Sequence, residues 1–219
     1  MQQRHFFILV SIVMISGLSQ GLLLPLISII FEQSGVHSSL SGIHATAMYI
    51  GVLVVSPFLE RPLRRYGFKR LIMIGGAIVI VSLAIFPVSS SLLFWFMLRL
   101  LIGVGDHILH FGSQTWITSA SPAHRRGRNI SLYGLSFGVG FMIGPLLVPL
   151  VHIHESLPFI VSSLLSLCGW MLLFFLPHAY PETEQAEKIG TLRFFSCLET
   201  SVACVVIAVW LRIFRGVAS

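Results

Sequence analysis

Charge is what this chain has least of. Only 10% of its 219 residues are Asp, Glu, Lys or Arg, where a soluble domain carries about a quarter. With 55% hydrophobic residues and a mean hydropathy of +0.90, there is not enough polar surface to cover a soluble core. Cysteine is equally sparse. Of three, Cys168 lies in an apolar run and Cys197 and Cys204 lie near the end, so no disulfide framework is implied. Acids number 8 against 14 Lys and Arg, a net charge of +6. Those basic residues sit in short gaps rather than in a stripe interleaved with aromatics, which excludes a nucleic-acid partner and points to anionic headgroups. The opening MQQRHFFILVSIVMISG has the basic-then-apolar form of a signal peptide. No A-x-A-like cleavage site follows and the apolar run continues to Phe31, so it reads as an uncleaved first span. No cofactor is expected.

What is present is a series of six long apolar stretches, approximately 6–31, 40–59, 71–88, 92–118, 129–151 and 157–176. About 20 apolar residues cross the roughly 30 Å hydrocarbon core as a helix. The gap 60–70 holds Arg61, Arg64, Arg65, Lys69 and Arg70, and the gap 119–128 holds Arg125, Arg126 and Arg128; the gaps 32–39, 89–91 and 152–156 hold no Lys or Arg. Basic residues in short loops are retained in the cytoplasm. The expectation is therefore an all-α polytopic protein of the cell membrane, with six transmembrane helices and both termini cytoplasmic. Its lipid contact would be the bilayer itself. Residues 1–177 would form the bundle, with tight turns leaving no room for a soluble domain. Residues 178–219 would be a cytoplasmic linker with a short apolar patch at 202–211, either an interfacial helix or a frustrated seventh span.

The fourth span carries the chemistry. Arg99 and Asp106 lie about 10 Å and 21 Å from Leu92 along the helix axis, so neither is at a surface. Arg99, Gly103, Asp106, His110 and Ser113 or Gln114 recur at steps of three and four, which places them on one face. Ionisable side chains at that depth cost about 2.5–3.5 kcal/mol each on insertion scales and face a cavity or a partner. Two readings follow: a polar stripe along a central path with Asp106 as a proton or substrate-charge site, or a structural Arg99–Asp106 pair. A metal centre of Asp106, His107 and His110 is disfavoured, because His107 stands about 100° round the helix from Asp106. In the first span Gln20, beside Ser16 and Ser19, either lines the path or bonds a neighbouring helix. His44 reads as a wet residue near the outer interface. In the fifth span, Gly134 and Gly138 read as tight packing. Gly140, Gly144 and Pro145 read as a hinge or seal between moving bundles.

Three of these segments resemble motifs of the major facilitator superfamily, and the resemblance covers nearly all of residues 1–195. Gly140-x-x-x-Gly144-Pro145 is similar to the fifth-helix G-x-x-x-G-P motif. Arg99 with Gly103 is similar to the fourth-helix R-x-x-x-G motif, to which the family assigns a role in proton-linked transport. The loop RRYGFKR resembles the basic D-R-x-G-R-R loop that gates the cytoplasmic side, with Arg65, Gly67, Lys69 and Arg70 matching. Arg64 stands where the acid belongs, and Glu60 is the available substitute.

The resemblance implies two six-helix halves with a small-molecule substrate between them, of which this chain is the amino-terminal one. It would need a second half or a second copy of itself. Protons would be exchanged for solute through Arg99 and Asp106, with Gln20, His110 and Gln114 lining the path. The closing residues can be back-translated so that the +1 frame reads YGYGFLEASL, a better start to a seventh helix, so truncation by a frameshift near 197–200 is expected. The rival readings are a non-transporting membrane subunit and an intramembrane metalloenzyme.

Overall fold

A computed structural model describes residues 3–181. Six helices carry the apolar stretches: α1 (Gln3–Gln33), α2 (Ser38–Val55), α3 (Glu60–Ile85), α4 (Leu92–Ala120), α5 (Ala123–Ile143) and α6 (Leu157–Met171). No strand occurs among the described residues. With their short 3-10 extensions, all six are long and apolar enough to cross a membrane. The expected linker beyond Pro181, the patch at 202–211, Cys197 and Cys204 lie outside the described residues.

Two boundaries differ from expectation for local reasons. The basic gap 60–70 is helical rather than a loop, since α3 begins at Glu60 and bends at Gly67. That residue takes φ 76° and ψ 173°, a region essentially closed to side-chain-bearing residues. The bend frees the Phe68 amide, which donates to the Ala179 carbonyl at 3.0 Å just after the sixth span. The fifth span changes character at Pro145, which has no amide hydrogen to give. Beyond Ile143 the chain continues as a 3-10 stretch, Gly144–His152.

The most extensive contacts are α1 with α5, α3 with α4, and α2 with α4. The α1–α5 seam is built on glycine. A Cβ on Gly17 or Gly21 would collide with the Phe137 or Phe141 carbonyl, and one on Gly140 or Gly144 with the carbonyls of Met14 or Leu18. Backbones this close replace the missing hydrophobic drive between helices with dispersion contact.

The buried residues separate into two apolar cores stacked along the bundle. One, at the end carrying the basic segments, includes Leu9, Leu63, Phe68, Trp116, Tyr133 and Leu173, with Phe68 stacked on Trp116 at 5.6 Å. The other includes Leu26, Phe31, Phe86, Trp95 and Phe159, with Phe86 stacked on Phe159 at 4.8 Å. Ser16, Ser19 and Gln20 of α1, Asp106 of α4 and Ser162 of α6 are buried and fall in sequence between the two cores on each helix. A polar belt therefore crosses the bundle at mid-height.

Candidate functional site in the polar belt

Asp106 is the only aspartate in the chain, and it sits in this belt with 7% of its surface exposed. The Ser16 hydroxyl donates to its Oδ1. The Gln20 amide donates to its Oδ2 at 2.5 Å. Four residues along α4, His110 places Nε2 at 3.4 Å from Oδ2 and 3.2 Å from the Ser16 oxygen. The other ring nitrogen, Nδ1, is 2.6 Å from the Tyr133 hydroxyl on α5. Ser16 and Gln20 are one turn apart on α1, as Asp106 and His110 are on α4, so two helices present matched pairs to each other.

The donor inventory is consistent in more than one protonation state. With His110 neutral, Tyr133 donates to Nδ1 and the Nε2 hydrogen points to Ser16 and Asp106. With His110 protonated, both nitrogens donate and Tyr133 accepts. A carboxylate with three donors around it satisfies the rule that buried charge must be paired and hydrogen-bonded.

The structure brings together Gln20, Asp106 and His110 among the expected path residues and leaves two apart. Gln114 is exposed and outside the network. Arg99 is buried, 4% exposed, but it is not ion-paired with Asp106. Seven residues separate the two, about 10.5 Å along the helix, and Asp106 is already served by nearer groups. No hydrogen bond or ion pair engages Arg99 among the described residues. Ser16 and Tyr133 were missing from the expected set. Ser16 was signalled by its spacing from Gln20; Tyr133 carried no local signal, because its role comes from the crossing of α5 with α4.

The other polar residues of the spans serve different contacts. His107 bonds Ser56 at 2.7 Å at the end of α2, on a face of α4 turned away from Asp106. Among the described residues no group of three His, Cys, Asp or Glu side chains could hold a metal. His44 is buried rather than wet: its Nε2 lies 3.2 Å from the Leu92 carbonyl, and Phe31 and Phe96 pack edge-on against the ring.

The packing of the two glycine pairs of α5 differs from expectation for Gly134 and Gly138. Gly140 and Gly144 are the tightly packed pair, while nothing lies within 4 Å of a Cβ built on Gly134 or Gly138.

In the basic segment, Lys69 is buried and caps the end of the sixth span, donating to the Phe174 carbonyl at 3.1 Å and the Leu176 carbonyl at 2.6 Å. Glu60 pairs with Arg64 at 2.5 Å on an exposed surface. Arg65 lies over the Tyr66 ring, 5.5 Å from its centroid, and Arg70 is exposed.

Comparison with known proteins places this geometry in a family. The uncharacterized MFS-type transporter YfkF of Bacillus subtilis is 59% identical over 187 residues, covering 85% of this chain and 48% of that protein. Multidrug resistance protein 1 of the same organism is 26% identical over 195 residues, covering 86% of this chain and 50% of that one. The chain thus spans about half the length of the curated relatives it matches. Among solved structures, a peptide transporter POT superposes with a TM-score of 0.64 at 18% identity, over 95% of this chain and 46% of that one. A D-xylose-proton symporter superposes with a TM-score of 0.64 at 15% identity, over 93% and 55%; these two likenesses establish the fold. The sequence profile of the Major Facilitator Superfamily matches residues 9–218, and the chain belongs to that superfamily.

Proposed function

We propose that this chain is one six-helix half of a proton-coupled secondary transporter that exports a small organic solute by alternating access. It would act in the cell membrane with both termini cytoplasmic. The observation that carries this reading is the mid-height cluster of Asp106, His110, Ser16, Gln20 and Tyr133, a buried carboxylate beside a part-buried histidine where a spanning protein otherwise excludes charge. Names among its relatives support export: besides the multidrug resistance protein, the quinolone resistance protein NorA of Staphylococcus aureus is 22% identical over 176 residues.

The chemistry follows from the donors. As a carboxylate, Asp106 accepts from Ser16 and Gln20. Once protonated it must donate, and the Gln20 amide nitrogen cannot accept. The new hydrogen then goes to His110 Nε2, with Nδ1–H donating to Tyr133, or to a turned Ser16 hydroxyl or Gln20 amide, which changes the α1–α4 contact. Arg99, buried without an acceptor, is available to an acidic group of the solute or of a second half. That second half, or a second copy of this chain, would cover the open sides of α2 and α5 and hold the solute at the interface. The basic segment around Arg65, Gly67, Lys69 and Arg70 would gate the cytoplasmic side. Gly140, Gly144 and Pro145 would carry its movement through the α1–α5 seam.

The test uses inverted membrane vesicles containing the chain, with an imposed pH gradient followed by a fluorescent weak base. Adding a transported solute should collapse the gradient for the wild type and have no effect for Asp106→Asn. An unchanged response in that variant removes Asp106 from the mechanism. A wild-type chain that moves no solute supports a non-transporting subunit instead.

A further inference from the structure

Behind Asp106, on the side away from α2 and α5, a cavity of about 20 Å³ lies between α1, α3, α4 and α6. Three of its lining residues carry side-chain oxygens: Ser16, Asp106 and Ser166. The volume exceeds the roughly 10–15 Å³ that one water needs, and three polar groups fall within the two to four partners a buried water takes. A dehydrated divalent cation would need six or more oxygens. Here the remaining walls are hydrocarbon, glycine and the Trp170 indole, whose N–H is committed to the Met73 carbonyl at 2.9 Å.

Ser166 is also the first rung of a hydroxyl ladder. It lies 3.2 Å from the Ser19 oxygen, and Ser162 donates to that same oxygen at 2.9 Å. The Ser19 hydrogen goes to the Ile15 carbonyl at 3.2 Å. Ser166 must then be the donor to Ser19, which leaves its own oxygen as an acceptor at the cavity wall.

We propose that one water molecule occupies this cavity and donates to Asp106 and to Ser166, joining the carboxylate to the Ser166–Ser19–Ser162 ladder. Ser166 is then a positioning residue for Asp106, and α6 helps to fix the carboxylate although no atom of α6 bonds it directly. The assignment rests on the reading of Asp106 as the proton site. It adds that the branch behind the carboxylate suits water and a proton rather than a metal ion. The titratable groups near Asp106 are His110 on its own helix, which contacts the carboxylate, the adjacent His107, whose ring bonds Ser56 instead, and Tyr133 on α5, which bonds His110. The cavity walls from α1, α3 and α6 bring none.

Two infrared readouts on the purified chain test the proposal. The first is a buried-water stretching band that shifts in H2(18)O. It should be present in the wild type and in Ser163→Ala, since Ser163 does not line the cavity and its hydroxyl bonds the Ile80 carbonyl. It should be lost in Ser166→Val, which fills the space. The second is the carbonyl stretch of protonated Asp106, assigned by its loss in Asp106→Asn. It should move to higher wavenumber in Ser166→Val and Ser166→Ala, because a hydrogen-bond partner is gone, and stay in place in Ser163→Ala. A water band that survives in Ser166→Val overturns the proposal whatever Asp106 does. A carbonyl stretch unmoved by both Ser166 variants removes Ser166 from any positioning role. If no carboxyl band can be assigned to Asp106 while the water band behaves as stated, the proton reading fails and the hydration site stands.

Discussion

The bundle has a closed side and an open side, and they spend their side chains differently. α1 and α4 each bury half of their most apolar window, whereas α2 buries 17% and α5 22%. On the open side the exposed residues are large and apolar, among them Tyr49, Leu53 and Val54 of α2 and Leu135, Phe141 and Met142 of α5. On the closed side, between two apolar cores, lie the only aspartate and its partners. Lipid rewards an apolar exterior, so the open faces need no further stabilisation to exist there. A polar group at that depth must instead be enclosed and satisfied. The buried polar cluster is thus enclosed within the bundle, and the open faces are apolar.

α5 belongs to both sides, so it offers the sharpest way to break this comparison. Gly140 meets the α1 backbone, while Gly134 meets nothing within 4 Å. Gly140→Leu should destabilise the bundle by about 3 kcal/mol, since backbone cannot give way as a side chain can. Gly134→Leu should stay within about 0.5 kcal/mol, as substitutions free of such contacts do. Unfolding of the detergent-solubilised chain, followed by circular dichroism, measures both. Equal losses would mean that the open face of α5 is packed after all.

The closed side has its own margin at the basic end. Lys69→Met keeps the apolar stem but removes two charge-assisted bonds to the end of the sixth span, at about 1.5–3 kcal/mol. The same unfolding measurement should show the loss, and protease cleavage just beyond Pro177 should become faster. Next in size is Gly67→Ala. The backbone region costs a side-chain-bearing residue about 1–3 kcal/mol, and the new methyl would stand 2.7 Å from the Ala179 carbonyl oxygen. Full stability in this variant would show that the bend can be made without glycine.

How much of this could be read beforehand follows from which distances lie along one helix. The six spans were legible because length and apolarity are local. So was the shared face of Asp106 and His110, one turn apart. The failure of the Arg99–Asp106 pair was legible too, since two turns are too far for contact. The glycine packing was half visible. Gly134 and Gly140 are six residues and so about 120° apart, and both pairs could not face α1. Which pair does so depends on how α5 is rotated against its neighbour, and no local pattern carries that. Tyr133, Ser166 and the Lys69 cap were hidden for the same reason, each being a meeting of helices distant in sequence. The basic segment misled because clustered charge reads as loop, while a single glycine bend lets it remain helical.

The smallest expected effect compares two histidines on one helix. Tyr133→Phe deletes the bond to His110 but keeps the ring that stands edge-on to it at 5.8 Å, so packing is retained and about 1 kcal/mol is lost. Ser56→Ala deletes the matching bond to His107 toward α2, where Ser56 is only partly buried; water can replace the hydroxyl, and the loss should be nearer about 0.5 kcal/mol. The functional contrast should be larger than the energetic one. Losing Tyr133 leaves His110 Nδ1 without its partner and, on the proposed proton-coupled function, should alter the pH dependence of transport. Losing Ser56 should leave that dependence unchanged, because His107 makes no hydrogen bond to Asp106 or its partners. A Ser56→Ala variant that shifts the pH profile as far as Tyr133→Phe would show that the two faces of α4 are coupled, and that the polar belt does not end at the closed side.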